Sequence, residues 1–479
     1  MFIIVLIRLV TLGAYPLIDK TEARYGEIAR EMVATGNWIT PQLEPGEPFW
    51  AKPPLSIWLT AFSFDILGIN EFSARLPSTI LSVLTCLLVF YLGKTIRDSI
   101  FGLKAVLILS TIGLFYVLSA TVMTDLALNA SITLSMVAFI TALREENSFR
   151  RRFWGYLFFV GLGLGVLSKG PLSCVLVFIP ICIWTVWQKQ FKKVLTSLPW
   201  ITGTMVALAI AVPWHILAEK KTPGFLEYYI IGEHFKRFTV SHWRGDLYGS
   251  AHEQPKGMIW LFIIAGTMPW TIVAGCLAIR LKKLGIKLKQ ILQNSWYVFL
   301  LLWFLSPLVF FTLASNITAY YCLPSLPAFA LLLIIGMDAV WKLNYPEKLP
   351  WCLRERNLLI ITAFTPIFVL IMSFTLMPRI GRQQSQLNIV ELFQKYSVDD
   401  KDAVLLYVQG MPQSADFYAK GRAIDVSKEE FETTKERFFD KHKDFYVVKI
   451  DHLDNVNGYI KEHTKEVGRF GEYTLRREL

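Results

Sequence analysis

Charge is scarce in this sequence. Only 18% of its 479 residues are Asp, Glu, Lys or Arg, against 53% hydrophobic and 14% aromatic, with a mean hydropathy of +0.42. A soluble chain of this length would be far more polar, so the scarcity excludes an ordinary globular enzyme and indicates a polytopic membrane protein. No CxxC pair and no zinc-ligand spacing occurs. Cys86, Cys174, Cys182, Cys276, Cys322 and Cys352 lie in or beside apolar runs, which argues against a disulfide framework and a structural metal. The polar stretch 378–479 has no phosphate-binding glycine loop, no GxSxG and no nucleophile–base pair. The net charge of +11 comes from short basic loops between apolar runs, a pattern of membrane orientation, so no nucleic-acid partner is expected. The first apolar run has no small-residue cleavage site after it and reads as retained.

What is present is a series of apolar runs near 2–18, 73–93, 103–121, 124–143, 154–168, 171–188, 199–217, 257–279, 295–314, 319–340 and 357–377, each near the ~20 residues that a spanning helix needs. The expectation is about eleven spans in a domain covering 1–377, with Arg8 in the first run costing roughly 3 kcal/mol at mid-bilayer. Five basic turns fall on one side. They hold Lys94 and Arg97; Arg144 and Arg150–Arg152; Lys189, Lys192 and Lys193; Arg280, Lys282, Lys283, Lys287 and Lys289; and Lys342, Lys348, Arg354 and Arg356. The positive-inside rule makes that side cytoplasmic. The loops 19–72 and 218–256 and the turns at Asp125, at 168–171 and at 315–321 then face outward. Past Met377, short β-like runs (Ala403–Val408, Phe445–Ile450, Tyr473–Arg476) alternate with helical patterns such as Lys428–Lys441, predicting a small external α/β domain over 378–479.

The outward segments hold the polar residues of interest. In the first loop, Tyr25, Ile28, Ala29, Met32 and Val33 share one helical face, Glu22, Arg24, Glu27, Arg30 and Glu31 occupy the rest, and Gly36 supplies a stop. Asp19 and Glu22 fit a capping box, and equally a carboxylate acting as general base or orienter. Asp125, at the junction of two spans, fits a helix cap or a functional acid, since ionisable groups bordering spans are costly without a partner. Lys52 in WAKPPL and Lys169 in LSKGPL could snorkel singly; together with Arg237 they suggest an anion site, most simply a lipid-linked phosphate. Loop 218–256 is rich in aromatics, as suits an interfacial helix. Its Glu233, His234, His242, His252 and Glu253 match no standard metal spacing, so no metal or cofactor is required.

Taken in order, TEARYGEIAREM (21–32), GNWITPQL (36–43), FWAKPPLSIWL (49–59), FSARLPS (72–78), VMTDLAL (122–128), LSKGPL (167–172), VPWH (212–215), EHFKRF (233–238) and YYCLPSLPAFALL (320–332) resemble the polyprenyl-phosphate-dependent glycosyltransferases of GT-C fold, closest to the aminoarabinose transferase-like (ArnT-like) members of the ArnT/protein O-mannosyltransferase superfamily. The resemblance covers roughly the first 340 residues. It implies inverting transfer of a sugar from a polyprenyl-phosphate donor to a lipid A, protein or other envelope acceptor, at the outer face of a bacterial cytoplasmic (inner) membrane. It also implies that Lys52 and Arg237 hold the carrier phosphate with Lys169 as helper, that Asp125 is the second-loop acid, and that Tyr320 or Tyr321 is the tyrosine before the LPxxP turn. Arg24, Tyr25, Glu233 and His234 belong to its substrate-binding motifs. Thr21 stands where the family usually has an Asp, leaving Asp19, Glu22 and Asp125 as catalytic candidates, and SNITAYY replaces the usual lysine near the last motif. A secondary transporter or flippase is the competing class; it would place polar residues at the bilayer midplane in two related halves.

Overall fold

The computed structural model describes every residue except 45, 241–242, 244, 249–251, 286–292, 343–348, 427–442 and 452–457. The chain is a mainly helical, multi-pass membrane protein. Among the described residues, six helices are long and apolar enough to cross a membrane: Glu71–Ile96, Asp125–Arg144, Trp200–Lys221, Ser295–Thr312, Ala319–Trp341 and Glu355–Thr375. Met258–Gly266 and Trp270–Lys283 make a seventh if taken as one span bent by 99°. The other apolar runs form shorter helices, together with Ser148–Lys169, whose first turns carry Arg150, Arg151 and Arg152.

Hydropathy counts apolar side chains but not backbone continuity, and the difference from eleven runs arises there. The run 103–121 is divided between Ser99–Leu109 and Gly113–Leu118, and the run 257–279 breaks before Pro269. The two interruptions meet. Gly113 N donates to Met268 O at 2.8 Å, supplying backbone partners where lipid has none. Arg8 is buried, its guanidinium bonded to the Tyr116 carbonyl and 4.0 Å above that ring. Protein rather than lipid therefore surrounds its charge.

Helix Asp125–Arg144 is buried along nearly its whole length and packs against Ser148–Lys169 and Glu71–Ile96. It begins with its acid and ends with Arg144. In the first loop, Thr21–Thr35 is helical and stops at Gly36, whose φ of +67° is the left-handed cap expected there. A small antiparallel hairpin (Gln42–Glu44 with Glu47–Pro48) and helix Leu55–Leu67 complete the loop. Asp19 and Glu22 form no capping box, because Lys20 is the N-cap and contributes no side-chain bond.

Beyond the spans lies a five-stranded sheet in the order Ala423–Asp425, Leu405–Tyr407, Phe445–Lys449, Tyr473–Glu478, Thr464–Phe470. The first three strands are parallel and the last two pair antiparallel. Helices Leu387–Tyr396 and Gln413–Ala419 bury Ile389, Val390, Phe393 and Ala415 against it. The three expected strands are all there; the helical pattern at 428–441 lies outside the described residues.

Candidate active site

A cavity of about 540 Å³ opens where six segments of the chain converge. The first-loop helix contributes Thr21, Arg24 and Tyr25, the following segment Phe49, Ala51 and Lys52, and the helix ends Asp125 and Lys169. The stretch around Glu233–Arg237 and the turn Asn316–Tyr321 close it. Phe235, Phe238, Phe310, Leu172 and Val175 make part of its lining apolar.

Two ion clusters hold most of its charges. In the first, Lys52 Nζ lies 2.8 Å from Glu233 Oε2 and donates to Ala51 O at 2.7 Å. Arg237 Nη1 reaches both oxygens of the same carboxylate at 3.0 Å, and Tyr228 Oη donates to Oε1 at 3.3 Å. Arg237 also faces Asp246 at 3.7 Å. Residues Glu227–Lys236 wind as a π-helix, and Asn316 Nδ2 fixes its exit by donating to Arg237 O at 2.6 Å. Burial alone would raise the Glu233 carboxyl, but Lys52 and Arg237 prevail and hold it below the ordinary carboxylate value. Lys52 has a single anion, and burial wins there, pulling its ammonium down.

In the second cluster Lys169 Nζ sits 2.6 Å from Asp125 Oδ1. Asp125 is the first residue of its helix and Lys169 the last of the next, so each charge lies at the helix end whose dipole favours it. Lys169 also lies 4.6 Å over the Tyr321 ring. Tyr25, partly buried in the cavity lining, is pushed up to about 12 by desolvation. Gly170 follows Lys169 with φ +67°, and a Cβ there would stand 2.2 Å from Tyr229 Oη and 2.6 Å from His234 Nε2. Only glycine lets the helix end approach those two side chains so closely. His234 Nε2 is buried without a hydrogen-bond partner; burial, reinforced by Lys52, pulls the imidazole down to about 4.

Of the residues expected from sequence, Lys52, Lys169, Arg237, Asp125, Arg24, Tyr25, Glu233, His234, Tyr320 and Tyr321 all line this cavity. Asp19 and Glu22 are not among its lining residues. Glu22 is spent on Arg75, accepting from Nε at 3.1 Å and Nη2 at 2.9 Å, and it accepts from Val122 N at 3.2 Å. Arg75 is fully buried and also bonds the carbonyls of Leu12, Tyr15 and Pro16, so the pair roots the loop. Asp19 binds Ser414, accepting from its N at 2.9 Å and from its hydroxyl. His252 lines the cavity, whereas His242 lies outside the described residues. The sequence reading missed Asp246 and Tyr248. Tyr248 Oη donates to Pro48 O at 2.7 Å and accepts from Trp50 N at 3.0 Å, while its carbonyl takes Arg24 Nη1 at 2.9 Å. A polar aromatic in a loop already rich in them was the one available signal.

Comparison with known proteins follows the same lines. The family described as Dolichyl-phosphate-mannose-protein mannosyltransferase matches residues 1–229. The undecaprenyl phosphate-alpha-4-amino-4-deoxy-L-arabinose arabinosyl transferase of Aeromonas salmonicida is 31% identical over 336 residues, 68% of this chain and 57% of that one. Its counterpart from Aeromonas hydrophila is 30% identical over 337 residues, with the same coverage. The chain thus spans little more than half the length of these curated relatives. A crystal structure of ArnT from Cupriavidus metallidurans bound to undecaprenyl phosphate matches 100% of this chain and 97% of its own, with a TM-score of 0.81 at 17% identity. The apo oligosaccharyltransferase of Archaeoglobus fulgidus matches 94% of this chain and 69% of its own, with a TM-score of 0.54 at 13% identity. At those identities the likeness is one of fold.

Proposed function

This chain is an ArnT-like member of the GT-C glycosyltransferases, and from that premise we propose that it transfers a sugar from a polyprenyl-phosphate carrier to an envelope acceptor, with inversion at the sugar carbon. One observation carries the reading. Lys52, Arg237, Lys169 and Asp125, from four distant parts of the chain, meet in one cavity whose lining is partly apolar. A lipid-linked phosphate needs both features. Fixed cations meet its charge and an apolar flank takes its tail.

In the reaction the bond between sugar C1 and the phosphate oxygen breaks as the acceptor oxygen attacks from the opposite face. The electron pair of the broken bond stays on the phosphate. Lys52 and Arg237 stabilise that growing charge, and they do so strongly because the site is preorganised and poor in water. Glu233 holds the two cations together before the carrier arrives. A phosphate acceptor is already ionised at neutral pH, so Asp125, tied to Lys169, orients it; a hydroxyl acceptor gives its proton to Asp125. His234 is neutral at pH 7 and serves as a hydrogen-bonding wall.

We place the cavity at the periplasmic face of the cytoplasmic membrane. Asp125 and Lys169 lie at one end of the helical hairpin 125–169, and the basic turn Arg144–Arg152 lies at the other, about 30 Å away at 1.5 Å rise per residue. The sheet domain at 378–479 stands on the cavity side, as its bonds to the first loop require.

The test uses purified chain in proteoliposomes with a labelled undecaprenyl-phosphate-linked sugar and an envelope lipid extract as acceptor. The expected result is release of undecaprenyl phosphate, lost in Lys52→Ala and Arg237→Ala. Carrier consumption unchanged in both variants would overturn the phosphate clamp.

A further inference from the structure

The first loop enters at residues 17–19 and leaves at residue 71, and one short helix of the C-terminal domain touches both roots. Tyr418, on helix Gln413–Ala419, accepts from Leu17 N at 2.7 Å through its hydroxyl and donates to Glu71 Oε1 at 2.9 Å. At the other end of the same helix Ser414 holds Asp19, and Asp19 N donates to Gln384 O at 3.1 Å. Between them Phe417 packs on Phe64 at 6.1 Å between ring centroids and against the helix Thr21–Thr35 at Gly26.

The face of that helix decides what this contact does. At about 100° per residue, Ala23, Gly26, Glu27 and Arg30 form one stripe, and Thr21, Arg24 and Tyr25 lie roughly opposite. The first stripe is buried beneath the docking helix, with Gly421 against the Arg30 guanidinium, and the second lines the cavity. The charged side of the helix is therefore covered by protein, which explains why Glu27, Arg30 and Glu31 are buried with their ion pairs internal at 2.6 and 3.0 Å. The docking helix backs this side of the loop helix, while helix Leu55–Leu67 and the Glu22–Arg75 pair hold its other sides. The Glu22–Arg75 pair ties the helix to the spans, and the docking helix adds a second hold at the two loop roots.

We propose that the C-terminal domain is a clasp for the first loop, and that Tyr418 and Asp19 are positioning residues which, by tying both loop roots to the docking helix, set where Arg24 and Tyr25 stand in the cavity. The consequence for transfer rests on the function proposed above; the clasp itself does not.

Hydrogen–deuterium exchange on the full chain in detergent reads the clasp directly. Tyr418→Phe keeps the ring and removes both bonds, so amides in 17–24 should exchange about tenfold faster, the size expected for one or two net hydrogen bonds. Strands Phe445–Lys449 and Tyr473–Glu478 should keep their protection. Asp19→Asn, whose amide oxygen keeps one of the two Ser414 bonds, should stay closer to wild type in exchange and transfer than Asp19→Ala, which keeps neither bond. A catalytic base would not tolerate the amide. In Tyr418→Phe the KM for donor or acceptor should rise severalfold, a change that mere loss of folded protein does not produce. Unchanged exchange at 17–24 in Tyr418→Phe would overturn the proposal, as would Asp19→Asn behaving like Asp19→Ala. Wild-type chain that shows the exchange pattern but no transfer would support the clasp and count against the proposed reaction.

Discussion

Removing the Lys52 side chain separates two consequences that the structure ties to one atom. Its Nζ is 2.8 Å from a Glu233 carboxylate whose side chain is 3% exposed. Leaving one member of a buried pair alone generally costs about 3–5 kcal/mol. Here Glu233 would not be alone, because both Arg237 contacts at 3.0 Å and the Tyr228 bond remain. The stability loss in Lys52→Ala should then be nearer about 1.5–3 kcal/mol, the scale of one charge-assisted hydrogen bond. Turnover should suffer more. A fixed donor aimed at developing oxyanion charge is worth about 3–4 kcal/mol, so single-turnover transfer in proteoliposomes should fall roughly 10²–10³-fold. Lys52→Arg should recover only part of this, since a planar fork does not fit a pocket built around a point charge. The assay pairs the transfer rate with thermal unfolding of the same preparation. An alanine variant that turns over within about threefold of wild type would refute this reasoning. So would a rate loss fully accounted for by unfolded protein.

Three further outcomes follow from the geometry. Glu22→Gln leaves the fully buried Arg75 guanidinium without its anion, so the unfolding free energy should drop by about 3–5 kcal/mol while turnover per folded molecule holds; normal melting with lost turnover would restore Glu22 as a catalytic acid. Gly170→Ala forces a Cβ against Tyr229 and His234 at a left-handed φ and should cost about 1–3 kcal/mol with a matching fall in transfer; wild-type melting and rate would show that the helix end is free to move. His234, held down to about 4 by burial, favours the folded state fully above its ordinary value near 6.5, and that contribution is lost as pH falls from there through about 4. Melting curves of wild type minus His234→Gln should show the loss on the acid side, and a difference that grows more favourable on acidification would refute the assignment.

What the sequence determined by itself was the membrane character, the apolar runs and many of the side chains that line the cavity. Apolar runs and flanking charge report directly on solvation, which is a local property, and motifs such as WAKPPL and LSKGPL carry their proline and glycine constraints with them. Tertiary structure alone decided which acids line the cavity. Asp19 and Glu22 sit in the right loop with the right chemistry, yet Ser414 and Arg75, hundreds and tens of residues away, engage them first. The same holds for the charged face of helix Thr21–Thr35, polar by pattern but buried because Phe417 and its neighbours cover it. It holds too for the apolar run 257–279, continuous in hydropathy but broken where Met268 meets Gly113. An ionisable group's role depends on the partner it meets, and that partner is set by chain crossings that no local window of sequence contains.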